Sequence, residues 1–140
     1  MREILFRGKE SDDGSWVYGW HCRYPFGRWP LKDAIIPSED AEDGYHHFVE
    51  VDGSTVGQFT GRLDKNGKRV FEGDVLDFFS GEFRGVVLWG DHDQCYIISP
   101  NGDENLHLDD FGNYGNAEYF QIIGNIYDNP ELLEVSDNGN

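Results

Sequence analysis

Short apolar and aromatic runs, separated by turn-forming residues, recur along the whole chain and limit what it can fold into. Large side chains alternate over Trp16–Trp20, directly after the turn residues Ser11–Gly14. Alternation between turn signals is typical of β-strands. Glycine accounts for 18 of the 140 residues, about twice its usual share. We therefore expect a mainly β or α+β protein of short antiparallel strands with little helix, curled into a small sheet or barrel.

Two hairpins are predicted from these signals. The first joins residues 4–6 to 16–20 around Ser11–Gly14, and the second joins 75–79 to 85–89 around residues 80–82. Further strands are predicted at 34–36, 46–51, 95–98 and 118–127.

The C-terminal part of the chain contains the one predicted helix. Gly124 interrupts a β-rich run and is expected to mark a bulge. Asn129 is expected to cap a short helix, with Pro130 at its first position and Glu131 near the positive end of its dipole. The chain is predicted to be a single domain over 1–140, or two lobes, an N-terminal α+β lobe of about 1–60 and a barrel-like lobe of about 61–135, with a frayed tail at 136–140.

The charge of the chain is strongly negative and unevenly distributed. The formal net charge is −16, and all 11 Lys and Arg lie between Arg2 and Arg84. Such a chain lacks the basic footprint that direct nucleic-acid binding requires. It favours a basic protein partner, although acidity can also serve solubility alone. The candidate acidic interaction surface comprises Asp91, Asp93, Asp103, Glu104, Asp109 and Asp110.

The chain lacks the features of a secreted or membrane protein. The N-terminus has no apolar run of signal-peptide length, and no stretch approaches a transmembrane span. Cys22 and Cys95 have no C-x-x-C spacing. We expect a cytoplasmic protein with reduced thiols, although the sequence leaves a disulfide between the two cysteines open.

The stretch from Val56 to Phe78 resembles a phosphate or calcium loop but fails both patterns. Five residues, not four, separate Gly61 from Gly67, and Arg69 replaces the hydroxyl residue that a P-loop needs. In an EF-hand register starting at Asp64, glycine falls at the wrong position.

A structural interpretation of the same stretch is simpler. Asn66-Gly67 is the pair preferred in a type I′ hairpin turn, where both residues need positive φ. Glu72-Gly73-Asp74 is expected to turn the chain into the next strand, with the Asp74 side chain bonded to nearby backbone donors.

Other candidate sites also lack the spacing that their chemistry requires. The segment 91–95, together with His107, holds metal-ligand types without paired spacing. His46 and His47 would face opposite sides of a strand. No G-x-S-x-G elbow is present, and Asp109-Asp110 is expected on a solvated loop. The sequence therefore predicts no catalytic residue, no metal and no cofactor.

Three aromatic side chains, Trp16, Tyr18 and Trp20, are predicted to share one face of a strand. This row could stack sugars, bases or a partner's side chains, but aromatic residues are usually buried, so a core position is favoured. A pocket formed by Trp16, Trp20, Trp29 and Trp89 is the corresponding ligand-binding alternative.

Six motifs in order resemble the YopX family. They are M-R-E-I-x-F-R-G-K near the start, W-V-Y-G at 16–19, T-V-G-Q-F-T-G at 55–61, D-K-N-G-K at 64–68, E-G-D-V at 72–75 and I-I-G-N-I-Y-D-N-P-E-L-L at 122–133. The resemblance spans nearly the whole chain. It implies a phage or prophage protein with an SH3-like barrel element, and it implies no reaction.

The function expected from these observations is that of a non-enzymatic accessory protein in the bacterial host cytoplasm. It would act through contacts between its acidic surface and a basic host or phage protein. Two alternatives remain open: a small-ligand binder or enzyme with an aromatic pocket, and a structural protein that forms homo-oligomers.

Overall fold

A computed structural model describes residues 3–38, 47–78, 81, 83–91, 94–99, 106–108 and 120–133. The chain divides into two compact units, Met1–Phe59 and Thr60–Asn140.

The structure is mostly β, as the spacing of turn residues predicts. Every pairing between strands with a defined register is antiparallel. Within the described ranges, the C-terminal helix is a single 3-10 turn, Pro130–Leu133. The described residues form ten strands: β1 (Phe6–Glu10), β2 (Trp16–Tyr24), β3 (Lys32–Pro37), β4 (Val49–Leu63), β5 (Arg69–Phe71), β6 (Asp74–Phe78), β7 (Phe83–Gly90), β8 (Cys95–Ser99), β9 (Leu106–His107) and β10 (Phe120–Asn125).

The strands of the first unit form a partial ring. The sheet runs β1-β2-β3-β4, and β4 also pairs with β1. The predicted hairpin between the first two strands is confirmed, with Arg7 opposite Tyr18. The ring is partial because β3 and β4 are in register only at Ala34 with Glu50 and at Ile35 with Val49. The buried apolar residues of this unit are Leu5, Ala34, Ile35, Val51 and Phe59.

The second unit contains a five-stranded sheet in the order β10-β6-β7-β8-β9. The predicted hairpin β6–β7 is confirmed. The bulge predicted at Gly124 is confirmed too, because the pairing of β10 with β6 shifts between Ile122 and Gly124. A cluster of buried side chains forms the core, namely Val70, Leu76, Phe78, Val87, Ile98, Leu108 and Phe120.

The turn between β4 and β5 differs in type from the prediction. Gly67 has a φ of 81°, but Asn66 is not among the residues with positive φ. Gly67 N donates to Asp64 O at 2.9 Å, and Asp64 N donates to Lys68 O at 2.9 Å. The loop is therefore a four-residue turn, Asp64–Gly67, whose last residue is a left-handed glycine. Asn66 thus avoids the positive φ that a type I′ turn would impose on it.

The Asp64 carboxylate fixes this turn from inside the protein. Asp64 is only 2% exposed. Its Oδ1 accepts hydrogen bonds from Asn66 N at 2.8 Å and Lys68 N at 2.9 Å. Its Oδ2 accepts a third from Ile122 N at 3.0 Å, and Lys65 N donates to Phe120 O at 3.1 Å. The carboxylate that resembled the start of a calcium loop thus bonds backbone donors of the turn and of β10.

The second turn of this stretch forms as predicted. Gly73 adopts a φ of 92°, and the buried Asp74 side chain accepts a hydrogen bond from Phe71 N at 2.8 Å. Gly73 N donates to Val87 O at 2.8 Å and Gly73 O accepts from Ile126 N at 2.9 Å. The turn therefore joins β5 to β6 and is bonded to two further segments of its unit.

The start of the C-terminal helix agrees with the prediction, but the capping contact differs. Leu132 N donates to the backbone oxygen of Asn129 at 3.1 Å. The Asn129 side chain accepts from Asn125 N at 3.3 Å, so it bonds back to the end of β10. The backbone oxygen of Asn129 therefore begins the helix, while its side chain stabilises the turn that precedes it.

Three strands depart from the sequence prediction. β1 occupies Phe6–Glu10, whereas the strand was expected at 4–6. β4 has 15 residues and extends far beyond the segment expected at 46–51. β9 was not predicted at all.

Candidate functional site

The aromatic row on β2 is largely exposed, so the predicted core position is wrong. Tyr18 is 43% exposed and Trp20 is 41% exposed. Alternate residues of a strand share a face, and the row continues along this face to Tyr24, which is also exposed. The buried residues of β2's neighbours, including Ala34 and Ile35, supply the core of this unit instead.

Trp16, at the other end of the row, is covered by cations of the same chain. The Arg7 Cζ lies 4.5 Å from the Trp16 ring centroid, and the Lys9 Nζ lies 5.6 Å from it. Both distances are within the range of a cation–π interaction. The register of the hairpin explains them, because Lys9 lies opposite Trp16 and Arg7 lies opposite Tyr18. The accessible part of the row is therefore the part from Tyr18 to Tyr24.

Tyr24 connects this row to a cluster of three rings. Its ring is stacked on Phe48, with centroids 4.2 Å apart and planes at 13°. It also meets Phe26 edge-on, at 4.9 Å and 82°. Phe26 has a φ of 49°, which is rare for a bulky side chain. Strained residues of this kind concentrate at functional sites.

Two rings of this cluster wall a cleft of about 380 Å³. We call it the acidic-aromatic cleft. It lies entirely in the first unit, where the end of β1, the β1–β2 turn, the loop after β2 and the start of β4 meet. Its lining residues are Glu10, Ser11, Asp12, Phe26, His47, Phe48, Val49 and Glu50.

Strand pairing brings these distant segments together. Glu10 is in register with Val51, and Ser11 N donates to Glu50 O at 3.1 Å. Phe26 joins them through its contact with Tyr24, which itself stacks on Phe48.

The electrostatic character of the cleft comes from its carboxylates. Glu10, Asp12 and Glu50 all line it, and the described residues of its lining include neither Lys nor Arg. Glu10 Oε2 accepts one long hydrogen bond, from Ser15 Oγ at 3.4 Å. The cleft therefore combines apolar ring surface with negative charge, an arrangement that suits a cation carrying apolar or planar surface.

Most of the predicted acidic surface lies outside the described residues. Asp91 is exposed in the turn after β7. The residues Asp93, Asp103, Glu104, Asp109 and Asp110 are outside, so this surface stays a prediction.

The predicted metal group lies only partly within the described residues. Cys95 and His107 are described but His92 is not, and the described ranges contain no group of three or more His, Cys, Asp or Glu placed to hold a metal ion.

The tryptophans of the proposed pocket are not enclosed. Trp29 is 76% exposed and does not wall a closed cavity. Trp89 is 44% exposed and contacts Tyr96 edge-on, with centroids 5.0 Å apart.

One His–Asp pair resembles part of a catalytic site, but the adjacent cysteine does not face it. His21 Nε2 lies 2.8 Å from Asp33 Oδ1. The neighbouring Cys22 points to the opposite face of β2, and burial raises the pKa of its thiol, which reduces the thiolate fraction. Neither Cys22 nor Cys95 forms a disulfide in the structure.

The sequence predictions missed the cleft residues. Phe26 lies far in sequence from Phe48 and Glu50, and Glu10 lies farther still. Contacts between distant segments bring them together, namely those of Tyr24 with Phe26 and Phe48 and the pairing of β1 with β4. The available signal was local: an aromatic residue between Pro25 and Gly27, and acids flanking the first turn.

The strands and their pairings define this chain as a mostly β protein built of antiparallel sheets. A family model described as "YopX protein" matches residues 5–134. The chain belongs to the YopX family. None of the curated proteins compared with it matches. In the part of the chain that the structure describes, no helix has the length and apolarity to cross a membrane.

Proposed function

We propose that this protein is a non-enzymatic binding module that engages a basic protein partner at the acidic-aromatic cleft. The observation that carries the proposal is the cleft itself, with three carboxylates and two phenyl rings in its lining. Cavities that combine apolar walls with a few polar groups are the usual form of a binding site. An accessory role in a phage or prophage follows from the family resemblance and belongs to the same proposal.

The exposed aromatic row supports a protein partner over a free small ion. Tyr and Trp are enriched among the residues that dominate binding energy at protein interfaces. Tyr18 and Trp20 lie on the face of β2 that ends at Tyr24, whose ring stacks on the cleft residue Phe48. A partner seated in the cleft could therefore extend along this row.

Charge supports a basic partner. The net charge of −16 attracts cationic proteins over long range, and the carboxylates of the cleft would then fix their position. Both effects weaken with salt, because the Debye length falls from about 10 Å at 0.1 M to about 3 Å at 1 M ionic strength.

The proposal is tested by fluorescence anisotropy with a labelled peptide of arginine, lysine and glycine. The full chain is compared with Glu10→Gln/Glu50→Gln and with the charge-matched control Asp128→Asn/Glu131→Gln, which lies outside the predicted acidic surface. The control sites are exposed and lie in the second unit. We expect binding that weakens as salt rises, about tenfold weaker for the cleft variant and within about twofold of the parent for the control, since buried charge pairs contribute more than exposed ones.

Equal weakening in both variants would mean that overall charge, and not the cleft, attracts the peptide. Absence of binding at low salt would contradict the proposal outright. Circular dichroism and thermal unfolding of each variant show whether a loss of binding reflects a loss of folding.

A further inference from the structure

We propose that the acidic-aromatic cleft receives an arginine side chain of the partner. This inference rests on the proposed function and specifies the chemistry of its ligand. Three observations carry this inference. Two concern the cleft, namely its two rings and its acidic residues. The third is the placement of Arg7 and Lys9 on the Trp16 ring, which lies outside the cleft lining.

The rings provide flat surfaces at the place where a cation would enter. Phe26 and Phe48 both line the cleft. Tyr24 contacts both of them, stacked on Phe48 and edge-on to Phe26, and so holds their orientation. A guanidinium group is planar and weakly hydrated, so it stacks on aromatic faces more readily than a compact, strongly hydrated ammonium group does.

The acidic residues of the lining provide the hydrogen-bond acceptors that a guanidinium group prefers. A guanidinium group has five N–H donors in a fixed fork, and it can bind a carboxylate through two parallel hydrogen bonds. Glu10 and Glu50 come from two paired strands, β1 and β4, and both line the cleft with Asp12. One guanidinium could therefore engage a carboxylate through its fork while its plane lies on a ring.

The first unit already contains an arginine whose guanidinium group lies on an aromatic ring. The Arg7 Cζ lies 4.5 Å from the Trp16 centroid, whereas the Lys9 Nζ is more distant at 5.6 Å. A guanidinium on a ring is thus compatible with the local packing of this sheet.

The experiment uses three short glycine–serine peptides that are identical except at a central pair of residues, which is arginine, lysine or citrulline. Citrulline keeps the shape of arginine but carries no charge. Isothermal titration of each peptide into the full chain gives the affinities. We expect arginine to bind about tenfold more tightly than lysine, and citrulline to bind more weakly than either charged peptide.

A ring variant tests the stacking contribution separately. Phe48→Leu keeps apolar volume and removes the ring, while Trp29→Leu removes an exposed ring outside the cleft lining. We expect Phe48→Leu to reduce the preference for arginine over lysine to about twofold or less and Trp29→Leu to leave it unchanged.

The outcomes distinguish the two proposals. Equal binding of the arginine and lysine peptides, with the Glu10→Gln/Glu50→Gln variant still weakened, would overturn the arginine inference and leave the basic partner intact. Absence of binding by both charged peptides, together with the labelled basic peptide, would overturn both. If Phe48→Leu unfolds the chain, Phe26→Leu tests the same prediction on the other ring.

Discussion

The buried carboxylate of Asp64 shows how a residue that resembles a metal ligand can serve the backbone instead. Its oxygens accept three backbone hydrogen bonds. Its neighbours in sequence, Lys65 and Lys68, are exposed, while Asp64 itself is buried. The side chain therefore satisfies donors that would otherwise be left without partners when the hairpin tip packs against β10.

Replacement of Asp64 tests this role. Because Asp64→Ala leaves backbone donors unsatisfied at a buried position, we expect the free energy of unfolding to fall by about 3 kcal/mol. Urea unfolding followed by circular dichroism measures the change.

Asp13→Ala is the matched control. Asp13 also accepts a hydrogen bond from a backbone donor, Ser15 N at 2.9 Å, and this bond and that from the Ser15 hydroxyl lower the pKa of its carboxyl. Asp13 is exposed, so water can replace its carboxylate as hydrogen-bond acceptor. We therefore expect a much smaller loss in the free energy of unfolding than for Asp64→Ala. Losses of similar size in the two variants would contradict the burial argument.

At the residue scale, the sequence predicts local hydrogen bonds better than it predicts which side chains are buried. The hydrogen bond of Asp74 to a nearby donor follows from the local preference of Asp for turns, and the structure confirms it. The exposure of Trp20 does not follow, because alternation shows which residues share a face but not which face is covered.

The two turns between β4 and β6 each contain a glycine with a positive φ, but the space around the two glycines differs. Gly67 and Gly73 adopt φ values of 81° and 92°. A Cβ on Gly67 would meet no atom within 4 Å, whereas a Cβ on Gly73 would lie 2.9 Å from the Tyr127 ring.

This difference predicts unequal effects of alanine. Gly67→Ala is expected to cost about 1 kcal/mol, the penalty of a positive φ alone. Gly73→Ala adds a steric conflict with Tyr127 and is expected to cost at least about 1 kcal/mol more. Chemical unfolding of the two variants under the same conditions provides the comparison, and equal costs would show that Tyr127 moves aside freely.

At the element scale the sequence predicts what is local. The hairpins β1–β2 and β6–β7 are confirmed because turn residues and flanking alternation lie within a short window. The length of β4 was missed because residues 52–63 are rich in Gly, Ser and Thr, and their pairing partners are distant in sequence. The acidic-aromatic cleft depends on that same non-local pairing, so no local sequence pattern predicts it.

Charge is the dominant property of the whole molecule. Both units contain more acids than bases, and like charges held in a compact state repel one another. We expect the midpoint of thermal unfolding to rise by a few degrees as sodium chloride increases from about 0.01 M to about 0.3 M, since screening reduces this repulsion. Calorimetry across a salt series measures it, with uncharged sucrose at matched osmolality as the control, and a midpoint that falls with salt would contradict the expectation.

The contacts of the hairpin tip with β10 have a consequence for association between chains. β10 is the last strand of its sheet, and a terminal strand presents backbone groups that can pair with another molecule and begin aggregation. Lys65 N and the Asp64 carboxylate occupy Phe120 O and Ile122 N of this strand, and the tip adds exposed lysines beside them. The turn that resembled a ligand loop therefore occupies backbone groups of β10 through which one copy of the sheet could otherwise pair with another.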